Sequence, residues 1–317
     1  MGKGQKVAII GAGNVGSTVA FILSMHGSCH EIVLKDSKVD ISKGKALDMS
    51  QSAAAARSHT IVRVALEPED LSDCDIVVVT AGSPRLPGMS RDDLLFKNAE
   101  ISKSIAKDIK KYSPDAKIIM VSNPLDAMTY VMLKAGDFDR SQVIGMAGIL
   151  DSARMASFVQ DKLGYGAGQI RASVMGGHGD DMVPLPRYST VAGVPLNDVL
   201  TNDEIDEIVE RTKYAGAEIV KHLQKGSAYY APANATAVMV DAILRDTKQI
   251  HSCAVYLDGE YGFSDVVNGV PIQIGAGGVE KILEVSLNYD EKQKLAVSMN
   301  SVKSLIDKLY EKNFFEE

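Results

Sequence analysis

The sequence predicts an α/β protein in two parts: an N-terminal doubly wound parallel sheet and a C-terminal α+β domain, divided as residues 1–147 and 148–317. Three observations predict it. Six short apolar runs alternate with helix-patterned segments through the first half. A glycine-rich turn joins the first run to the first helical segment. After Met146 longer helical segments take over, with isolated β-type runs between them.

The six runs are Val7–Ile10, Glu31–Leu34, Thr60–Val64, Asp75–Thr80, Lys117–Val121 and Gln142–Gly145. Most are continuously apolar rather than alternating, as strands buried on both faces of a parallel sheet must be. Val15–Met25 and Asp92–Lys111 read as crossover helices. A further helix starts near Lys43 and runs into Ala53–Ala56, with small residues suited to close packing. In the second half, Asp151–Leu163, Asn202–Gln224, Asn234–Arg245 and Asp290–Lys312 read as helices. The β-type runs there are Ile170–Met175, Ala254–Leu257 and Pro271–Ile274. The last helix carries Leu295, Met299, Val302, Ile306 and Leu309 as one apolar stripe, a core-facing pattern. No linker composition marks the boundary near residue 147, so the two parts are expected to pack tightly.

Composition narrows the function. The 317 residues carry 34 Lys+Arg against 41 Asp+Glu, a formal net charge of −7. Such a chain has no overall field for nucleic acid or an anionic membrane, so an anionic substrate must be met by local cations. Cys29, Cys74 and Cys253 form no C-x-x-C pair, no secretory signal pattern opens the chain, and no apolar run approaches a membrane span. These features point to a reducing, cytoplasmic setting. His26, Cys29 and His30 have metal-ligand chemistry but fall in one short turn leading into the second strand, so no metal site is expected.

Gly11-Ala12-Gly13-Asn14-Val15-Gly16 fits the dinucleotide fingerprint of the Rossmann fold. Gly11 permits the tight turn, Gly13 lets backbone approach a pyrophosphate, and Gly16 allows close helix–sheet packing. The helix N-terminus then offers free N–H groups and partial positive charge to the phosphates. Asp36 follows Gly16 by 20 residues, at the end of the second strand, where a carboxylate accepts from an adenosine ribose. It would repel a 2′-phosphate, so NAD is expected rather than NADP, although Lys35 and Lys38 are cations nearby.

Four further segments carry candidate chemistry. Gly176-Gly177-His178-Gly179-Asp180 sets a histidine among glycines directly after a β-type run. Asp151 and Arg154 are three apart on one helix face. The stretch 81–91 leaves the fourth strand as a loop carrying Arg85 and Arg91, at the sheet end where α/β domains bind ligands. Asn123 leaves the fifth strand at the same edge, and the proline after it holds it extended.

In their order along most of the chain, GAGNVG, Asp36, TAGSPRLPGMSRDDLL, SNPLD, LDSAR and GGHGDDMVP resemble the lactate/malate dehydrogenase family, most closely the malate-acting members of its lactate-dehydrogenase-like subgroup. The resemblance implies reversible, NAD-dependent hydride transfer between (S)-malate and oxaloacetate, with L-lactate or a broader range of 2-hydroxy acids as the alternative. It implies His178 as acid/base, Asp151 as its partner and Arg154 as the anchor of the substrate's C1 carboxylate. Arg91 would polarise the reacting carbonyl and Asn123 would bond both substrate and cofactor. Arg85 would choose the substrate, since lactate enzymes usually carry glutamine there. Thr80, Asn98 and Val121 would line the cofactor beside Asn14 and Val15, and Ala228 would leave room near the nicotinamide. A homo-oligomer is implied too, a tetramer before a dimer, with the helix near Lys43 at subunit contacts.

Elementary chemistry agrees with those roles. Reducing a 2-oxo acid needs a proton donor, a carboxylate anchor and a cation for charge growing on the carbonyl oxygen. An arginine can grip a carboxylate bidentately. Closure of residues 82–92 would exclude water.

Overall fold

The computed structural model describes residues 4–84 and 88–316. Strands β1 (Lys6–Ile10), β2 (Glu31–Lys35), β3 (Ile61–Val64), β4 (Ile76–Val79), β5 (Lys117–Met120) and β6 (Val143–Gly145) are parallel, in the spatial order 3-2-1-4-5-6. Val7, Ile9, Val33 and Val78 are wholly buried, because helices cover both faces of this sheet. The crossovers are made by α1 (Asn14–His26), α2 (Val39–Ala55), α3 (Arg91–Tyr112) and α4 (Leu125–Gly136). Strand order reverses between β1 and β4, and the crevice at such a switch point receives ligands.

Helix α4 lies outside the helices expected from periodicity. Met128, Tyr130, Val131 and Met132 on successive faces are all wholly buried. A helix enclosed all round has no polar face, so it shows no amphipathic period.

The second half begins with α5 (Gly148–Leu163) and a run of two-residue strands. These are β7 (Ile170–Arg171), β8 (Val174–Met175), β9 (Val183–Pro184), β10 (Thr190–Val191) and β11 (Val194–Pro195). The single run expected over Ile170–Met175 is thus two strands with different partners: β7 pairs with β10, and β8 with β9. Helix α6 (Asn202–Leu223) follows, then α7 (Tyr230–Leu244). The latter starts before the expected Asn234 because Pro232 sits in its first turn, where no N–H is needed. Strands β12 (Gln249–Asp258), β13 (Ser264–Gly275) and β14 (Gly278–Ile282) precede the last helix, α8 (Tyr289–Glu311).

The sheet continues past residue 147. Ala254 of β12 pairs antiparallel with Gly145 of β6, and β13 and β14 extend the sheet to nine strands. The expected stripe on α8 is buried throughout.

Candidate active site

The turn after β1 is set by contacts no side chain could share. Gly11 has φ of 102°, and a Cβ on Gly16 would lie 1.9 Å from the carbonyl oxygen of Gly11. Gly13 is the opposite case: a Cβ there meets nothing within 4 Å. It caps α1 with no side-chain hydrogen bond, so the first N–H groups of the helix face outward without a side-chain partner. Gly11, Gly13, Asp36 and Thr80 line one cleft of about 600 Å³ at the switch point. Thr80 donates to the Gly11 carbonyl at 2.7 Å, and Asp36 accepts from the Ala12 N–H at 2.7 Å and the Lys38 N–H at 2.9 Å. Lys35 pairs with Asp108 at 3.3 Å. Open space over Gly13, an uncapped helix N-terminus and a carboxylate at the end of β2 together fit a dinucleotide.

A second cleft, of about 310 Å³, holds Val15, Val121, Asn123, Arg154 and His178. His178 sits in the loop joining β8 to β9. Its Nδ1 lies 3.0 Å from Oδ2 of Asp151, and Oδ1 of Asp151 accepts from Nη1 of Arg154 at 3.1 Å. One carboxylate therefore orients both the imidazole and the guanidinium. Asp151 can do this because α5 carries it and Arg154 on one face while keeping its side chain 2% exposed. With Nδ1 engaged, Nε2 is the ring nitrogen left for a substrate. Burial works against the charged imidazole, but the charge and hydrogen bond of Asp151 outweigh it and hold His178 above the ordinary histidine pKa. Nε of Arg154 is buried with no partner among the described residues. A buried guanidinium with an unmet donor fits an incoming carboxylate.

Asn14 is the exposed first residue of α1. Asn98 is buried on α3, and its amide is consumed within the protein. Its Oδ1 accepts from the Ser83 N–H at 2.7 Å, and its Nδ2 donates to the Ser83 and Asn123 carbonyls at 3.2 and 2.7 Å. It thus ties the loop after β4 to the segment after β5. Asn123 precedes a cis peptide bond to Pro124. Arg91 opens α3, exposed, and lines neither cleft. Arg85 lies outside the described residues. The cluster near His26 gathers no metal-ligand set among the described residues, and burial pushes the Cys29 thiol up to about 12.

Two residues escaped sequence reasoning. Asp126, in the first turn of α4, is buried, and its Oδ2 accepts the backbone N–H of His178 at 2.9 Å. Its Oδ1 has no partner among the described residues, and burial pushes the carboxyl up to about 6. Lys45 of α2 donates to the Ala12 carbonyl at 2.6 Å, bracing the glycine turn. Asp126 stands three residues after Asn123, a spacing that hinted at a shared site. Nothing local marked Lys45.

Known proteins resemble this chain over nearly its whole length. Residues 5–145 match the family model described as lactate/malate dehydrogenase, NAD binding domain, and residues 149–313 match its alpha/beta C-terminal domain. A malate dehydrogenase of Sulfurimonas denitrificans is 70% identical over 317 residues, spanning 100% of this chain and 99% of the relative. The 1.55 Å resolution structure of malate dehydrogenase from Salinibacter ruber superimposes with a TM-score of 0.93 at 45% identity, covering 99% of this chain and 100% of that one. Lactate dehydrogenase from Cryptosporidium parvum, solved with lactic acid and nicotinamide adenine dinucleotide, gives a TM-score of 0.93 at 38% identity over 98% of this chain and 99% of that one. The chain belongs to the lactate/malate dehydrogenase family.

Proposed function

We propose that this chain interconverts (S)-malate and oxaloacetate with NAD. The observation that carries the reading is the bridge from His178 through Asp151 to Arg154, set in one cleft beside the glycine turn. Residues 1–147 hold the cofactor and residues 148–317 supply most of the substrate groups. When bound, NADH supplies a hydride to the substrate's carbonyl carbon. Gly11, Gly13 and the N-terminus of α1 take the pyrophosphate, and Asp36 takes the ribose. Arg154 grips the C1 carboxylate, Asn123 orients the substrate, and His178 passes a proton from Nε2 to the carbonyl oxygen. In the reverse direction neutral His178 removes the hydroxyl proton. Arg91, brought over the cleft, stabilises the charge growing on that oxygen.

The fold does not separate malate from lactate, since solved enzymes named for either superimpose equally. Arg85 does in this reading: the second carboxylate of oxaloacetate needs its own cation inside a dry site, and arginine stands at the sequence position where lactate enzymes usually carry glutamine. The malate dehydrogenase relative at 70% identity supports the same choice.

The proposal extends to a homo-oligomer, a tetramer before a dimer. Ile41 and Leu47 on α2 are 55% and 62% exposed, and apolar surface along this helix supports a subunit contact there. Buried, unpaired Cys29, Cys74 and Cys253 support a cytoplasmic setting, and no described helix is long and apolar enough to cross a membrane.

The test follows NADH and NADPH oxidation with oxaloacetate and pyruvate in parallel. Oxaloacetate with NADH is expected to give the highest kcat/KM. Faster turnover of pyruvate would overturn the malate reading.

A further inference from the structure

Helix α6 turns Lys213, Gly216, Ala217 and Val220 toward the substrate cleft, positions three and four apart on one helical face. Lys213 is the charged member of that stripe. Its side chain is half-buried, and among the described residues it has no ion-pair or hydrogen-bond partner. A cation held this way keeps its charge for whatever enters the cleft.

The charges around the cleft show why that matters. Arg154 is already half committed, with Nη1 bonded to Asp151 at 3.1 Å. Asp180 also lines the cleft. In the protonated His178 state that reduction uses, His178, Arg154 and Lys213 stand against Asp151 and Asp180, leaving one net positive charge. Without Lys213 that sum falls to zero, and the cleft loses its net attraction for a carboxylate. The side of approach is set by Gly216, one turn further along α6. A Cβ there would lie 3.6 Å from Nη2 of Arg154, so this stretch of the helix runs beside the guanidinium.

We infer that Lys213 is a second cation for the substrate carboxylate that Arg154 grips, acting on substrate affinity rather than on proton transfer. The identity of that carboxylate rests on the oxidoreductase reading above. A lysine is a point charge on a flexible stem, so it adds attraction without competing for the bidentate geometry of the arginine. Because oxaloacetate and pyruvate share the C1 carboxylate, Lys213 serves both equally. Choosing between them remains the work of Arg85.

The experiment compares wild type, Lys213→Met and Lys213→Arg, all loaded with NADH. Calorimetric titration with oxalate reads binding without turnover, since its adjacent carboxylates mimic the carboxylate and carbonyl of a 2-oxo acid. Steady-state rates with oxaloacetate and pyruvate read the rest. Lys213→Met is expected to weaken oxalate about tenfold, which is 1.4 kcal/mol. It should raise KM for both substrates by a similar factor, with kcat within about twofold and NADH affinity unchanged. Lys213→Arg should restore most of the loss, and high salt should narrow the gap between wild type and Lys213→Met. Oxalate affinity within about twofold of wild type in Lys213→Met, or a fall in kcat at constant KM, overturns the inference. A wild type that binds oxalate but does not reduce oxaloacetate overturns the malate reading, and the oxalate comparison still decides Lys213.

Discussion

Gly13 and Gly16 share one motif, yet the structure asks different things of them, and alanine at each position separates ligand from fold. At Gly16 the new methyl would start 1.9 Å from the Gly11 carbonyl oxygen and 2.7 Å from Oγ1 of Thr80, where real Cβ contacts stay at or beyond 3.0 Å. Backbone must therefore move by roughly the difference, about 1.1 Å (3.0 − 1.9). Overpacking of this kind costs about 1–3 kcal/mol and lowers Tm by several degrees in a chain of this size. At Gly13 the methyl meets nothing within 4 Å, and φ of −68° suits alanine. Only the weaker capping by alanine remains, at most about 1 kcal/mol. But that methyl fills the space proposed for the pyrophosphate. Gly13→Ala should raise the NADH Kd at least about tenfold, or 1.4 kcal/mol, with little change in Tm. Gly16→Ala should lower both Tm and affinity. Thermal melts and NADH fluorescence titrations on both variants decide it. If Gly13→Ala binds NADH like wild type, the phosphates do not lie over that residue and the cofactor placement is wrong.

Asp151→Asn removes the charge that holds the His178 pKa up. Reduction of oxaloacetate uses the imidazolium, so its kcat/KM is full below that pKa and falls above it. The variant's fall should begin at lower pH, and the rise of malate oxidation should move the same way; unshifted pH profiles would sink the pairing. Asp36→Ser should weaken NADH and improve NADPH, because it removes an acceptor and a repulsive charge together. With Lys35 tied to Asp108, Lys38 is the cation left for a 2′-phosphate, and an unaltered NADH/NADPH preference places the ribose elsewhere. Arg85→Gln should shift the oxaloacetate-to-pyruvate ratio of kcat/KM by at least about 10²-fold, from a lost charged bond on one side and a relieved unpaired cation on the other. An unmoved ratio removes Arg85 from substrate choice.

Much of this protein could be read from local chemistry. A short apolar run means a strand enclosed on both faces wherever it falls, so β1 to β6 were legible one by one. The glycine turn was legible because its constraints are local: Gly11 needs its positive φ and Gly16 its bare backbone within a few residues of each other. Asp151 and Arg154 were legible as neighbours because a helix brings residues three apart together. That His178 joins them was suggested by resemblance; its 3.0 Å approach to Asp151 depends on how the β8–β9 loop packs against α5. Other features had no local signature. Helix α4 hid because burial on every side erases periodicity, and the two strands within Ile170–Met175 differ only in their partners. Asp126 and Lys45 act on backbone 52 and 33 residues away in sequence. Their side chains look ordinary until the fold removes water from one and brings the glycine turn to the other. Residues 1–147 and 148–317 read as separate units in sequence, yet hydrogen bonding between β6 and β12 joins them in one sheet. Strand pairing satisfies backbone groups, which every residue carries alike, so sequence pattern can announce a strand but only the folded chain chooses its neighbour.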